Sequence, residues 1–191
     1  MPNIGVHIVT ATDTLLPLNA MLRHGNGDPI ELSDYTVKAV MELKDGTSEL
    51  AATTTGVTAH PTRTFTAEAD DDCLTSRGHG VQTGDQVIVL NSGGALPAGL
   101  SASTAYYAVN VTPNKFQLAT LPDGPAIDLT TDGTGTQTFY IVGSVQFDFA
   151  SANVDTAQIL RLWFQLSSGS ETKHLPEGDR WIEIRVVNLG T

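Results

Sequence analysis

The sequence predicts an all-β protein: an antiparallel β-sandwich into which a second, smaller β-module is inserted. Three observations predict it. In the outer segments apolar residues recur with a period of two, the spacing that places alternate side chains on one face of a strand. Clusters of Gly, Asn, Asp and Ser separate these runs at short intervals, and no amphipathic helix of ordinary length is visible. From Thr62 to Tyr140 the texture changes. That stretch carries Gly78-His79-Gly80-Val81-Gln82-Thr83-Gly84-Asp85, Leu96-Pro97-Ala98-Gly99-Leu100, Tyr106-Tyr107-Ala108-Val109, Lys115-Phe116-Gln117-Leu118 and Gly133-Thr134-Gly135-Thr136. The expected division is therefore 1–61 plus 141–191 for the outer domain and 62–140 for the insert.

The elements of the outer domain follow in order. Ile4 to Thr10 is a short apolar run suited to a first strand. Leu16, Leu18, Ala20 and Leu22 alternate with Leu15, Pro17, Asn19 and Met21; the proline cannot donate to a ladder and marks an edge or a strand start. Gly25-Asn26-Gly27-Asp28 is turn chemistry, because Gly and Asn tolerate positive φ. From Tyr35 to Lys44, Val37, Ala39, Met41 and Leu43 fall on one face and Thr36, Lys38, Val40 and Glu42 on the other, with Asp45-Gly46 closing the strand. After the insert, Val145, Phe147 and Phe149 alternate with polar residues, as do Leu160, Leu162, Phe164 and Leu166, and then Ile182, Ile184 and Val186. Ser151 to Thr156 suits a brief helical turn, since Ser and Asp side chains cap free amides. About seven strands with such turns suit a sandwich.

Within the insert, Gly84-Asp85 leads into Val87-Ile88-Val89-Leu90, an apolar run fit for a buried strand. In Leu96-Pro97-Ala98-Gly99-Leu100 the proline fixes φ, the glycine allows reversal and the two leucines anchor the loop. Asn114 turns the chain into Lys115 to Leu118.

Composition bounds the function. With 191 residues and 40% hydrophobic content the chain can bury a real core. Ten Lys and Arg against 21 Asp and Glu give a formal charge of −11, which repels phosphate backbones and anionic membranes, so neither nucleic acid nor membrane is an expected partner. The lone Cys73 forms no internal disulfide and no thiolate cluster. Met1-Pro2-Asn3-Ile4 lacks the basic and apolar regions of a secretory signal, and no run approaches a membrane span, so synthesis in the cytoplasm is the expectation.

Two resemblances add to this reading. Asp28-Pro29-Ile30-Glu31-Leu32-Ser33-Asp34-Tyr35-Thr36-Val37 with Met41-Glu42-Leu43-Lys44-Asp45-Gly46 resembles the start of the immunoglobulin-like N-terminal domain of phage baseplate upper proteins. Val145-Gln146-Phe147-Asp148-Phe149, Asn153-Val154-Asp155-Thr156-Ala157 and Leu175-Pro176-Glu177-Gly178 fit the same pattern. That family implies a virion component that attaches other parts to the particle. In the insert, His79-Gly80, Thr83-Gly84-Asp85, Leu96-Pro97-Ala98-Gly99-Leu100 and Tyr106-Tyr107 resemble a small β-barrel of phage tail and fibre proteins. That barrel is similar to the first half of the catalytic-cysteine region of ubiquitin-activating enzymes. The likeness implies a fold and no chemistry, because nothing here resembles an adenylation domain.

No residue pattern assembles a reaction centre, so no catalytic, cofactor or metal residues are assigned. Cys73 follows three carboxylates that disfavour a thiolate, and reads as a small half-buried residue. His7, His24, His60, His79 and His174 show no i, i+2 or i, i+4 pair; His79, between two glycines, reads as a turn side chain bonded to backbone. Asp70-Asp71-Asp72 and Asp132-Gly133-Thr134-Gly135 are the two candidates for calcium; the triplet lacks the ligand alternation of a calcium loop and reads as a solvated acidic turn. Trp163 and Trp181 read as cross-strand partners of one another, with a sugar or protein contact surface as the other reading.

The expectation is a non-enzymatic structural protein of a tailed-phage virion, in tail, baseplate, neck or capsid decoration. Its immunoglobulin-like sandwich would dock on other virion proteins and on copies of itself, and the inserted barrel would point away. A carbohydrate-binding module for a host surface glycan is the alternative, disfavoured by 6% aromatic content. Chelators are expected to leave the melting temperature unchanged, and Cys73→Ser and His79→Ala to change stability by roughly one or two kcal/mol at most; a melting shift of many degrees in chelator would make a metal the first suspect.

Overall fold

The computed structural model describes residues 6–10, 17–43, 53–150, 157–176 and 181–187. Among them the fold is all-β, with one three-residue 3₁₀ turn, Ala69–Asp71, and no helix long and apolar enough to cross a membrane. The chain divides into two compact units, Met1–Ala59 with Gly143–Thr191, and His60–Val142.

In the outer unit, β1 (Val6–Thr10), β2 (Leu18–Met21), β3 (Thr36–Leu43), β4 (Val57–Ala59), β12 (Ser144–Phe147), β13 (Gln158–Ser168), β14 (Glu171–Leu175) and β15 (Ile182–Val187) build two sheets. The first runs β1-β15-β13, with β3 along the far edge of β13 and β14 sharing the near edge with β15; the second is β2-β12-β4. Both contribute to one core. Val37, Ala39 and Met41 of β3 meet Leu160, Leu162, Phe164 and Leu166 of β13, Ile184 and Val186 of β15, and Leu18, Val145 and Phe147 of the second sheet. The period-two faces expected for β3, β13 and β15 are thus the buried ones. Pro17 stands just before β2, and β2 is a sheet edge, which spares the missing N–H any ladder role.

Two features depart from expectation. The unit is not wholly antiparallel: β1 and β15 pair in parallel, Val6 opposite Glu183 through Thr10 opposite Val187. A parallel pair needs a long crossover, and here nearly the whole chain supplies it. Among the described residues the unit also has eight strands, since β4 has only three residues and β14 is exposed over four of its five positions, leaving neither with an apolar alternation to read. The readings placed on Ile4, Leu15, Leu16, Asp45-Gly46, Ser151 to Thr156 and Glu177-Gly178 lie outside the described residues.

The insert has its own core. β5 (Arg63–Thr64), β6 (Thr66–Glu68), β7 (Cys73–Thr75), β8 (Gln86–Ser92), β9 (Ala105–Val109), β10 (Lys115–Ala119) and β11 (Thr136–Ile141) are ordered β5-β11-β8-β9-β10-β7-β6. The two end strands are separated by Phe65 alone, so the ladder returns to the place in the chain from which it set out. Phe116 and Phe139, fully buried, meet edge to face at 5.2 Å, and Leu74, Val87, Val89, Ala108 and Leu118 surround them. The Leu96 to Leu100 loop behaves as its residues dictate. Gly99 sits at φ +110, where a Cβ would come within 2.6 Å of the Asp128 carbonyl oxygen, and the Leu100 N–H closes the turn on Pro97 O at 3.0 Å. The observed boundaries, Ala59/His60 and Val142/Gly143, each lie two residues from those expected.

The two ends of the outer unit's broken chain are neighbours: Ala59 pairs with Val145 across β4 and β12. Inside the insert, Arg63 pairs with Phe139 and His60 stacks on Tyr140 at 4.4 Å. Replacing residues 60–142 with a short Gly/Ser bridge should leave a soluble β-protein that melts in one cooperative step by circular dichroism. An unfolded deletion product would mean that the two units depend on a shared core.

Candidate functional site

The residues considered for chemistry are kept apart or taken up by backbone. His24 lies in the turn before β3, His60 on Tyr140, His174 on β14 opposite Gln165, and His7 in β1 opposite Ile184. Among the described residues no group of three His, Cys, Asp or Glu is placed to hold a metal ion.

His79 is 2% exposed, and both ring nitrogens are bonded. The Val81 N–H donates to Nδ1 at 3.0 Å, which leaves the proton on Nε2 to donate to the Thr112 carbonyl at 2.8 Å. The ring also packs against Phe116 at 4.9 Å. It therefore ties the turn after β7 to the loop before β10, the backbone role its glycine neighbours suggest. Burial makes the loss of this ring costlier than the sequence alone indicates: His79→Ala strands a buried N–H and a carbonyl, for about 2–4 kcal/mol.

Asp72 and Asp132 are braces. Asp72 holds αL geometry at φ 55 and accepts the Leu129 N–H at 2.7 Å; Asp132 accepts the Ala69 N–H at 2.7 Å. The triplet is thus more than a solvated turn, because its last carboxylate and that of Asp132 lock two distant segments together. Cys73 is half-buried and donates to the Asp71 carbonyl at 3.2 Å. Burial pushes its thiol up, Lys115 pulls it down, and Asp71, Glu68 and Asp72 add to the rise, so the thiolate is disfavoured at neutral pH.

Lys115 bonds Glu68 at 2.5 Å and faces Asp71 at 3.8 Å. The hydrogen bond from Lys115, then that from Thr75, holds the Glu68 carboxyl below its ordinary 4.5, and the bond to Glu68 holds Lys115 above its ordinary 10.5. The depressed acid contributes stability above its unfolded value, lost as pH falls through the folded one. The raised base contributes below 10.5, lost as pH rises further. The destabilisation caused by Lys115→Met should therefore be largest between roughly pH 5 and pH 10 and vanish on either side in a series of melts; a difference unchanged at pH 3 would remove this pair as its cause.

The arrangement with most to offer a partner is the outward face of the sheet β1-β15-β13-β3. Residues opposite one another in the ladder share a face. One row is Glu42, Arg161 and Glu183; beside it run Val40 with Trp163, and Ile159, Arg185 and Ile8. Arg161 bonds Glu42 at 3.3 Å and lies 4.4 Å over the Trp181 ring, so Trp181 takes a guanidinium as its ring partner in place of Trp163. Glu183, 4% exposed, accepts Arg185 Nε at 2.6 Å. Around these paired charges Ile8 is 61% exposed, Ile159 38% and Val187 37%. Among the described residues the charged side chains that these four strands place on this face are Lys38, Arg161 and Arg185 against Glu42 and Glu183, a balance of +1 on a chain of −11. Among the described residues β1 pairs only with β15, leaving its second edge of N–H and C=O groups unpaired. The period-two pattern makes this face readable, but the exposure of its isoleucines follows from the register with β1, which no local signal specifies.

Comparison with family models, with curated proteins and with solved structures found no match.

Proposed function

We propose that the chain is a structural component of a tailed-phage virion that works by docking to other virion proteins and to copies of itself. On this reading the outer unit is an immunoglobulin-like sandwich, the insert a small β-barrel, and neither carries out a reaction. The reading rests on the sequence resemblances together with one structural observation: a near-neutral sheet face, bearing Ile8, Ile159 and Val187 on an otherwise acidic chain, ends in a strand that has one partner among the described residues. An edge of this kind adds strands from a partner, the exposed isoleucines supply apolar area, and the paired charges of Arg161 and Arg185 leave no net repulsion to overcome. The negative charge of the remaining surface keeps undocked copies soluble.

Complementation of particles that lack the protein tests this. Removing Met1 to Thr10, or replacing Ile8 and Ile159 with Asp, should abolish incorporation, whereas removing residues 60–142 should leave it intact. Incorporation lost only with the insert would exchange the roles of the two units; absence of the wild-type protein from purified virions would end the proposal.

A further inference from the structure

Phe65 is the point at which the insert's chain changes neighbours. Arg63 and Thr64 pair with β11, whereas Thr66 to Glu68 pair with β7. The two ladders part there, and the chain beyond β7 runs through Ser76 and Arg77 beside a solvent-open groove of about 580 Å³. Thr62, Thr64 and Thr66 line it from one segment and Thr75 with Ser76 from the other, so five of its eight lining residues carry a hydroxyl, that of Thr75 already donating to Glu68.

The charge of the groove is opposite to that of the chain. Arg63 and Arg77 both line it, and no acidic side chain does, although acids outnumber bases 21 to 10 overall. Arg63 reaches the carbonyl of Gly78, the residue after Arg77, at 3.4 Å, which brings its guanidinium to the base of the second arginine. Among the described residues the Arg77 guanidinium has no hydrogen-bond or ion-pair partner. Glu68, which Thr75 reaches at 2.8 Å, is already held by Lys115. The one aromatic side chain here, Phe65, is 5% exposed and serves the core, so the groove offers no ring face on which a neutral sugar could stack.

We propose that this groove binds an anionic saccharide. Arg63 and Arg77 grip its phosphate or carboxylate groups through their planar N–H forks, and the threonine and serine hydroxyls meet its hydroxyls. The site is independent of the docking face, so either proposal can fail without the other.

The test is calorimetric titration of the full chain with a phosphorylated dextran oligomer, an oligogalacturonate and a neutral dextran oligomer. Binding to one or both anionic chains, absent for neutral dextran and weakened by added salt, is the expected result, and the preferred arm identifies the anionic group. Arg63→Gln/Arg77→Gln should weaken binding at least tenfold, with circular dichroism unchanged, and replacing both arginines by Lys should give an intermediate loss because charge survives without the fork. Arg77→Gln alone, at an exposed side chain, should still weaken binding several-fold. Equal binding of neutral dextran, an unaltered affinity in the glutamine variants, or no binding of either anionic chain at about 10 mM would overturn the proposal.

Discussion

The outer unit depends on one strand. β13 is eleven residues long, and Leu160, Leu162, Phe164 and Leu166 along it are all fully buried. Its partner β3 follows one edge from Leu160 to Ser167, and the other edge is divided between β15 and β14. Almost every main-chain group of the strand is therefore satisfied within its sheet, while its inward side chains carry the contact to Leu18, Val145 and Phe147 of the second sheet. Because the side-chain period is two, a slip of one residue would turn those four apolar side chains to solvent and put Arg161 and Trp163 inside. The burial that fixes this register also fixes which residues face out, so the composition of the outward face is a consequence of the core.

The insert solves a different problem with the same chemistry. It must begin and end in adjacent strands, and its ladder must use the edges that a flat sheet would leave open. One residue, Phe65, lets the chain serve both ends of the strand order. The price is a splayed corner, braced by residues that look dispensable in the sequence: His79 to Thr112, Asp72 to Leu129, Asp132 to Ala69.

How far the sequence could be read follows from which interactions are local. Alternation along Val37 to Leu43, Leu160 to Leu166 and Ile182 to Val186 identifies strand and face together, because the signal lies within the strand itself. Gly99 and the leucines of its loop are readable for the same reason. What escapes is set by distant partners. Nothing in Val6 to Thr10 announces a parallel mate beyond residue 180, and nothing in Glu171 to Leu175, polar and exposed, announces a strand at all. Trp181, just before β15, is covered by a guanidinium that comes from β13. The groove at Phe65 is equally invisible, since Arg63 and Arg77 become neighbours only where the strand changes partners.

The pairing of β1 with β15 also orders the events of synthesis. Val6 and Glu183 are 183 − 6 = 177 positions apart, so at roughly 5–20 residues per second β1 waits on the order of 10 to 35 seconds for its partner to leave the ribosome. Residues 60–142 are contiguous and can fold during that interval, when the outer sheets are still incomplete. Nascent chains crowded on one messenger thus display an apolar, neutral strand before its own partner exists. The insert shortens that exposure by nothing and lengthens it by its own 83 residues (142 − 60 + 1), so the chain's topology places its demand on chaperones at the N-terminal strand.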